Sequence, residues 1–161
     1  MTNASSDWEK RMASLWAALA EGDEQDFVAR VDAHAAELAP GDAVGLFERA
    51  SARDSTGRSD LAVPMYEAAI AAGLSGTRRR RATIQMASSL RNLGRSAEAV
   101  ALLTAELDEG SDELDGAVRA FLALALADTG RERKALSVAL TALSEYLPRY
   151  NRSLARYAED L

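Results

Sequence analysis

Four glycines, Gly22, Gly57, Gly94 and Gly130, follow one another at intervals of 35, 37 and 36 residues, and each lies between two stretches that read as helix. The last three open near-identical turns: Gly57-Arg58-Ser59 before Asp60-Leu61-Ala62-Val63, Gly94-Arg95-Ser96 before Ala97-Glu98-Ala99-Val100, and Gly130-Arg131-Glu132 before Arg133-Lys134-Ala135-Leu136. Gly22-Asp23-Glu24, ahead of Gln25-Asp26-Phe27-Val28, is a weaker copy. A glycine just past a helix can take the left-handed conformation that ends it, because it has no Cβ to clash. Ser59 and Ser96 are then placed to cap the helices that follow. Five residues after each of the three later glycines stands an alanine (Ala62, Ala99, Ala135), and seven residues before each stands another (Ala50, Ala87, Ala123). Small side chains at these two places let the helices of a hairpin approach closely. A period of this length is the mark of a repeat architecture, in which one supersecondary unit covers the next.

The rest of the chain agrees. Its 161 residues suit one domain, and 48% are apolar, enough for a core. Ala, Leu, Arg and Glu dominate over β-branched residues, which favours helices over strands. The stops predict helices at about 6–21, 24–38, 42–56, 59–72, 77–93, 96–109, 112–129 and 132–147, with Ser6 and Glu9 as a capping box at the first start. Pro40-Gly41 breaks the chain, and Pro64 is expected near the first turn of its helix. A last helix, about 149–160, follows Pro148, with Tyr150, Leu154, Tyr157 and Leu161 on one face and Arg149, Arg152 and Arg156 on another, as suits a cap on an open array end.

These residues resemble the tetratricopeptide repeat family, whose unit has small residues at fixed places around a glycine-led turn. Ala50, Gly57, Ala62 and Ala69 fit it, as do Ala87, Gly94 and Ala99, and Ala123, Gly130, Ala135 and Ala142. The first repeat departs, with Leu15, Phe27 and His34 at the small places. Ser89-Leu90-Arg91-Asn92-Leu93-Gly94-Arg95 and Leu147-Pro148-Arg149-Tyr150 are similar to a bacterial subgroup, tetratrico peptide repeat group 5. The resemblance implies an all-α fold, an α-α superhelix of right-handed sense. It would hold four helical hairpins (about 6–38, 42–73, 77–110 and 112–147) and a capping helix at 149–160, in one domain over 1–161.

Little in the chain supports chemistry. There is no cysteine and one histidine, so a disulfide frame and a usual zinc site are both excluded, and no cofactor is expected. His34 reads as a packed histidine between two helices, and no nucleophile elbow or phosphate-cradling loop is present. The pairs Asp23/Glu24 and Asp112/Glu113 read as helix-start acids facing the dipole. The chain is therefore expected not to be an enzyme. The polar start does not look like a signal peptide, and the longest apolar stretch, 120–127, is too short to cross a bilayer, so a cytoplasmic address is the simplest expectation.

Charge is segregated. The net charge is −6, but residues 1–48 hold 10 acids and 3 bases, 49–95 hold 3 acids and 9 bases, and 96–161 hold 12 acids and 7 bases. Arg78-Arg79-Arg80-Arg81 is the densest part of the basic waist and reads either as a solvated turn balanced by acidic neighbours or as a contact for an acidic partner; negative net charge and the lack of interleaved aromatics speak against nucleic acid.

The resemblance implies a concave groove lined by the first helix of each hairpin. Met12, Trp16 and Leu19 would fall there, with Phe47, Ser51 and Asp54, then Arg81, Ile84, Ser88, Arg91 and Asn92, then Ala120, Leu124 and Asp128. From these, Trp16, Phe47, Arg81, Ile84, Ser88, Arg91 and Asn92 are the candidate partner-binding residues. The arginines suit a carboxylate-bearing peptide, since a guanidinium fork matches a carboxylate. Trp16, Phe47 and Ile84 read equally well as inter-helix core. The family's chaperone-tail clamp is not expected, because Met12, Trp16, Phe47 and Ser51 stand where it needs Lys and Asn. Two functions follow as expectations: an adaptor that binds a peptide or acidic partner protein in the groove, or a self-associating scaffold (a homodimer, for instance) in which an acidic end meets the basic waist of another copy.

Overall fold

A computed structural model of the chain describes residues 5–19 and 22–161. Among these there are nine α-helices and no strand: α1 (Ser6–Ala17), α2 (Glu24–Ala35), α3 (Ala43–Ser55), α4 (Ser59–Ala71), α5 (Gly76–Asn92), α6 (Ser96–Glu109), α7 (Asp115–Asp128), α8 (Glu132–Ser144) and α9 (Asn151–Glu159). The fold class is the all-α repeat architecture that the sequence predicts. Two compact units can be distinguished, residues 1–82 and 83–161, with the boundary inside α5. None of the described helices is long and apolar enough to cross a membrane.

The glycine turns have one construction. Gly57, Gly94 and Gly130 all sit at φ +74°. In the first, the Arg58 N–H donates to the Arg53 carbonyl and the Gly57 N–H to the Asp54 carbonyl; Arg95/Leu90 and Gly94/Arg91, then Arg131/Leu126 and Gly130/Ala127, repeat the pair. This is the Schellman arrangement, which satisfies two carbonyls that a helix end would otherwise leave without partners. The arginine after the glycine both donates to the end of one helix and is the N-cap of the next. That economy corrects two expectations. Ser59 and Ser96 are not caps but first helical residues, because the turn is one residue shorter than a serine cap requires. Pro64, expected near the first turn of α4, is its sixth residue, in the second turn; it faces solvent, so water can reach the Asp60 carbonyl that its missing N–H leaves unbonded.

Other boundaries shift for local reasons. The cap of α1 is Ser5, whose hydroxyl accepts from the Trp8 N–H, and not Ser6. The expected end of the first helix falls on residues 20 and 21, outside the described residues. Gly22 is not left-handed, and α2 is instead capped by Asp23, whose carboxylate accepts from the Asp26 N–H. The start of α7 is delayed to Asp115 because Asp112 accepts from the Leu114 N–H and Asp115 from the Asp112 N–H, a turn built by side chains competing with the helix.

In the first unit α1 packs on α2, α2 on α3 and α3 on α4, around Trp8, Met12, Phe27, Val31 and Ala52. In the second, α6 packs on α7, α7 on α8 and α8 on α9, with Leu103, Val118, Leu122 and Leu126 buried. The alanines that the repeat predicts to be small contacts are all buried: Ala50, Ala62, Ala69, Ala87 and Ala99 fully, and Ala123, Ala135 and Ala142 nearly so. The inward face of α9 differs from the expected one. Ala158 is fully buried and Leu154, Ala155 and Leu161 half-buried, while Tyr150 and Tyr157 are exposed. Tyr150 precedes the helix in a left-handed conformation, φ 66°, and so falls out of its periodicity.

Because Ala99 has no free surface, Ala99→Leu is expected to overpack its hairpin and lower the unfolding free energy by about 1–3 kcal/mol. Denaturant titration of the variant checks this; an unchanged midpoint would refute the close contact.

Candidate functional site

The predicted residues Arg81, Ile84, Ser88, Arg91 and Asn92 recur at intervals of three, four, three and one along α5, which places them on one face of a single helix. Arg81 falls in the first compact unit and Ile84, Ser88, Arg91 and Asn92 in the second.

In the first unit, Phe47 is fully buried and Trp16 half-buried. The Phe47 ring is 6.3 Å from that of Tyr66, and the Arg81 guanidinium lies over it, 5.3 Å from its centre. Arg81 is itself exposed, so the ring orients a cation that solvent can reach. Beside it is a residue that the sequence reading passed over, Glu48. It is only 5% exposed, yet it carries a carboxylate: one oxygen accepts from the Trp16 indole N–H at 2.8 Å and the other is 3.7 Å from Arg78 Nε. Arg78 reaches on to Glu9 of α1. Burial pushes the Glu48 carboxyl above its ordinary value, with the Trp16 hydrogen bond and the charges of Arg78 and Arg81 acting against it. The signal was present in the sequence, since Glu48 is one helical turn from Val44 and Ala52, both part of or packed against the core. Tyr66 closes the cluster. Its hydroxyl is 3.4 Å from Ser51 Oγ and 3.3 Å from an Asp54 oxygen, and burial raises its titration well above the ordinary range.

In the second unit, Ile84 is 6% exposed, Ser88 and Arg91 are half-buried and Asn92 is exposed. Arg91 Nε donates to Asp128 of α7 at 2.7 Å, and Ser96 adds a longer hydrogen bond to the same oxygen. The Arg91 hydrogen bond holds the Asp128 carboxyl below its usual range. Thus Phe47 and Ile84 lie in the core, and Arg91 already has a carboxylate from its own chain.

The arginine run is partly buried and partly balanced by acids. Arg80 is 6% exposed and Arg78 is held between two acids. Elsewhere in the waist, Arg53 grips Asp32 of α2 with two bonds of 2.7 Å, and Arg49 donates to the Asp32 carbonyl oxygen at 3.2 Å. The segregation of charge along the chain therefore resolves into pairing between helices.

His34 is a strut between α1 and α2. Its ring stacks on Trp8, 4.8 Å centre to centre, with Nε2 3.0 Å from the Trp8 carbonyl oxygen and Nδ1 2.9 Å from Glu37. The Trp8 indole N–H returns a hydrogen bond to the His34 carbonyl. Arg11 clasps Glu37 with bonds of 2.8 and 2.7 Å; with His34 it holds the Glu37 carboxyl down to about 2.

Glu37 and Glu48 pull stability in opposite directions with pH. A lowered folded value means that the contribution of Glu37 is present above 4.5, its ordinary value, and is lost as pH falls toward about 2. A raised one means that the contribution of Glu48 is complete below 4.5 and is lost as pH rises through its folded value. Melting temperatures measured across pH should show Glu37→Gln with a flatter acid limb than the parent chain. Glu48→Gln should gain on the parent as pH rises from 4.5 toward neutrality. Parallel curves would contradict both assignments.

Comparison with known proteins extends this picture. The family model described as tetratrico peptide repeat, group 5, matches residues 43–161. Comparison with curated proteins gave no match, nor did comparison with solved structures. Repeats of this family serve in general for contacts between proteins. The match runs through the same turns whose glycines share one geometry, and the chain belongs to the tetratricopeptide repeat family, in its group 5.

Proposed function

We propose that the chain is a protein-interaction module with no enzymatic activity of its own, and that it takes a peptide or an acidic segment of a partner protein against the α5 face. The observation that carries this reading is Arg81. Arg78 and Arg91 clasp carboxylates of their own chain, whereas the Arg81 guanidinium is exposed and stacked on a buried ring. A guanidinium held over a ring in this way loses less conformational freedom when a carboxylate arrives. Trp16 stands half-buried in the same unit. Phe47, fully buried, is the packed support beneath Arg81. The alternative, an acidic end meeting the basic waist of a second copy, is weakened because Arg49, Arg53, Arg78 and Arg91 are engaged with acids of the same chain.

The test begins with capture of binding proteins from native lysate on the immobilised chain, followed by titration of the recovered partner against variants. Arg81→Glu should weaken binding by about tenfold or more, equal to about 1.4 kcal/mol, with helix content unchanged. Equal affinity for the parent and the variant would sink the assignment.

A further inference from the structure

Helix α9 packs on α8. Glu159 of α9 lines a cleft with Lys134, Ser137, Val138 and Thr141 of α8, and Arg133 fastens the end of α9, donating to the carbonyls of Leu161 and Asp160. A stacked repeat receives the helix that follows on the face that carries Val100 in α6 and Leu136 and Leu143 in α8. Val100 is buried, whereas Leu136 and Leu143 stay about half exposed, so α9 sits elsewhere on α8.

Residues 146–157, the end of the preceding turn and most of α9, hold three arginines, three tyrosines and no acid. All six side chains are turned to solvent. Tyr146, Tyr150 and Tyr157 are 70%, 78% and 60% exposed, and Arg149, Arg152 and Arg156 are exposed between them. Arg11, Arg53, Arg78, Arg91 and Arg119 each clasp a carboxylate of their own chain. Among the described residues, Arg149, Arg152 and Arg156 have no such partner. The nearest acids in sequence on either side are placed elsewhere: Glu145 pairs with Arg119, and Glu159 lines the cleft on α8. The Arg156 guanidinium lies over the Tyr157 ring, 5.2 Å from its centre. Tyr150 holds φ 66°, which costs a residue with a Cβ some strain, yet its ring buries little in return.

We propose that this segment is a binding surface for single-stranded nucleic acid, with the three guanidinium groups on phosphates and Tyr150 and Tyr157 stacked on bases. The pattern selects the occupant. Cations alone suit any polyanion, but exposed rings interleaved with them suit a strand that carries planar bases along a charged backbone. The arginine run of α5 lacks such rings. A duplex keeps its bases stacked on one another and offers the tyrosines no partner. An acidic peptide engages the guanidinium groups but gives the rings no planar partner. A bilayer would need the apolar side of α9, and Ala158, with Leu154 and Leu161 half-buried beside it, is taken up in packing. The net charge of −6 keeps the affinity modest and sensitive to salt. This surface shares no residue with the Arg81 site.

Fluorescence anisotropy of a labelled oligothymidine, titrated with the full chain over a range of salt concentrations, tests the proposal. The expected result is saturable binding at low salt, weaker binding to a duplex of the same length, and a log–log salt slope of about −2, from about −0.7 for each of three phosphates. Arg149→Gln/Arg152→Gln/Arg156→Gln should lower the affinity about tenfold or more and flatten the slope. Tyr157→Ala, and Tyr150→Asn, which keeps the left-handed backbone accessible, should each lower it about fivefold or more and leave the slope unchanged, because stacking is not a charge effect. Circular dichroism should be the same for all, and Arg81→Gln should bind as the parent chain does. Absence of saturable binding at low salt, equal affinity for a labelled polyglutamate peptide or for phosphatidylserine vesicles, or tyrosine variants that bind as the parent does would each overturn it.

Discussion

A helix that must reverse direction at once leaves carbonyl groups without partners, and the rest of this structure depends on how three glycines solve that. With Gly57, Gly94 and Gly130 at φ +74°, the last carbonyls of one helix accept from the two residues of the turn. Only three residues separate the two helices at each turn, and the arginine that closes the turn is also the N-cap of the next helix. Helices joined so tightly lie side by side, and only small residues fit where they touch. Ala62, Ala87 and Ala99 have no exposed surface for that reason. Local backbone geometry thus sets the packing, and the packing sets which positions remain outside.

Charge works at the next level. Acids and bases are kept in separate stretches of sequence, and folding brings them together across helices: Asp32 with Arg49 and Arg53, Glu9 and Glu48 with Arg78, Asp128 with Arg91. Pairs as exposed as Arg11 with Glu37 contribute modestly to stability. Glu48 is different, since a buried carboxylate must be held by hydrogen bonds and nearby cations or forgo its charge. It ties Trp16 of α1 to α3 and to the first turns of α5 within one compact unit, and this network supports the ring on which Arg81 lies.

The C-terminal helix shows a repeat pattern meeting a local exception. By the repeat, the segment after α8 belongs on the face of Leu136 and Leu143. Tyr150 takes a left-handed conformation that costs a residue with a side chain some strain, and α9 settles on another side, where Ala158 is buried and Arg133 meets the last carbonyls. An apolar face built to stack is left bare, beside a cap already in place.

The sequence by itself determined the helices, the turns and the small contacts, because these rest on short-range physics: glycine's left-handed freedom, the lack of a Cβ clash, and the 3.6-residue period. The periodicity also put Arg81, Ile84, Ser88, Arg91 and Asn92 on one helix face. Only the tertiary structure decided which members of that face are reachable. Phe47 and Ile84 are buried and Arg91 is paired, outcomes set by neighbours distant in sequence. The same holds for Glu48, an acid at a core spacing whose partners, Trp16 and Arg78, are 32 residues before it and 30 after it. It holds as well for α9, whose amphipathic pattern fits more than one side of α8. Spacing fixes which residues share a face, but burial and pairing depend on what another part of the chain brings against it.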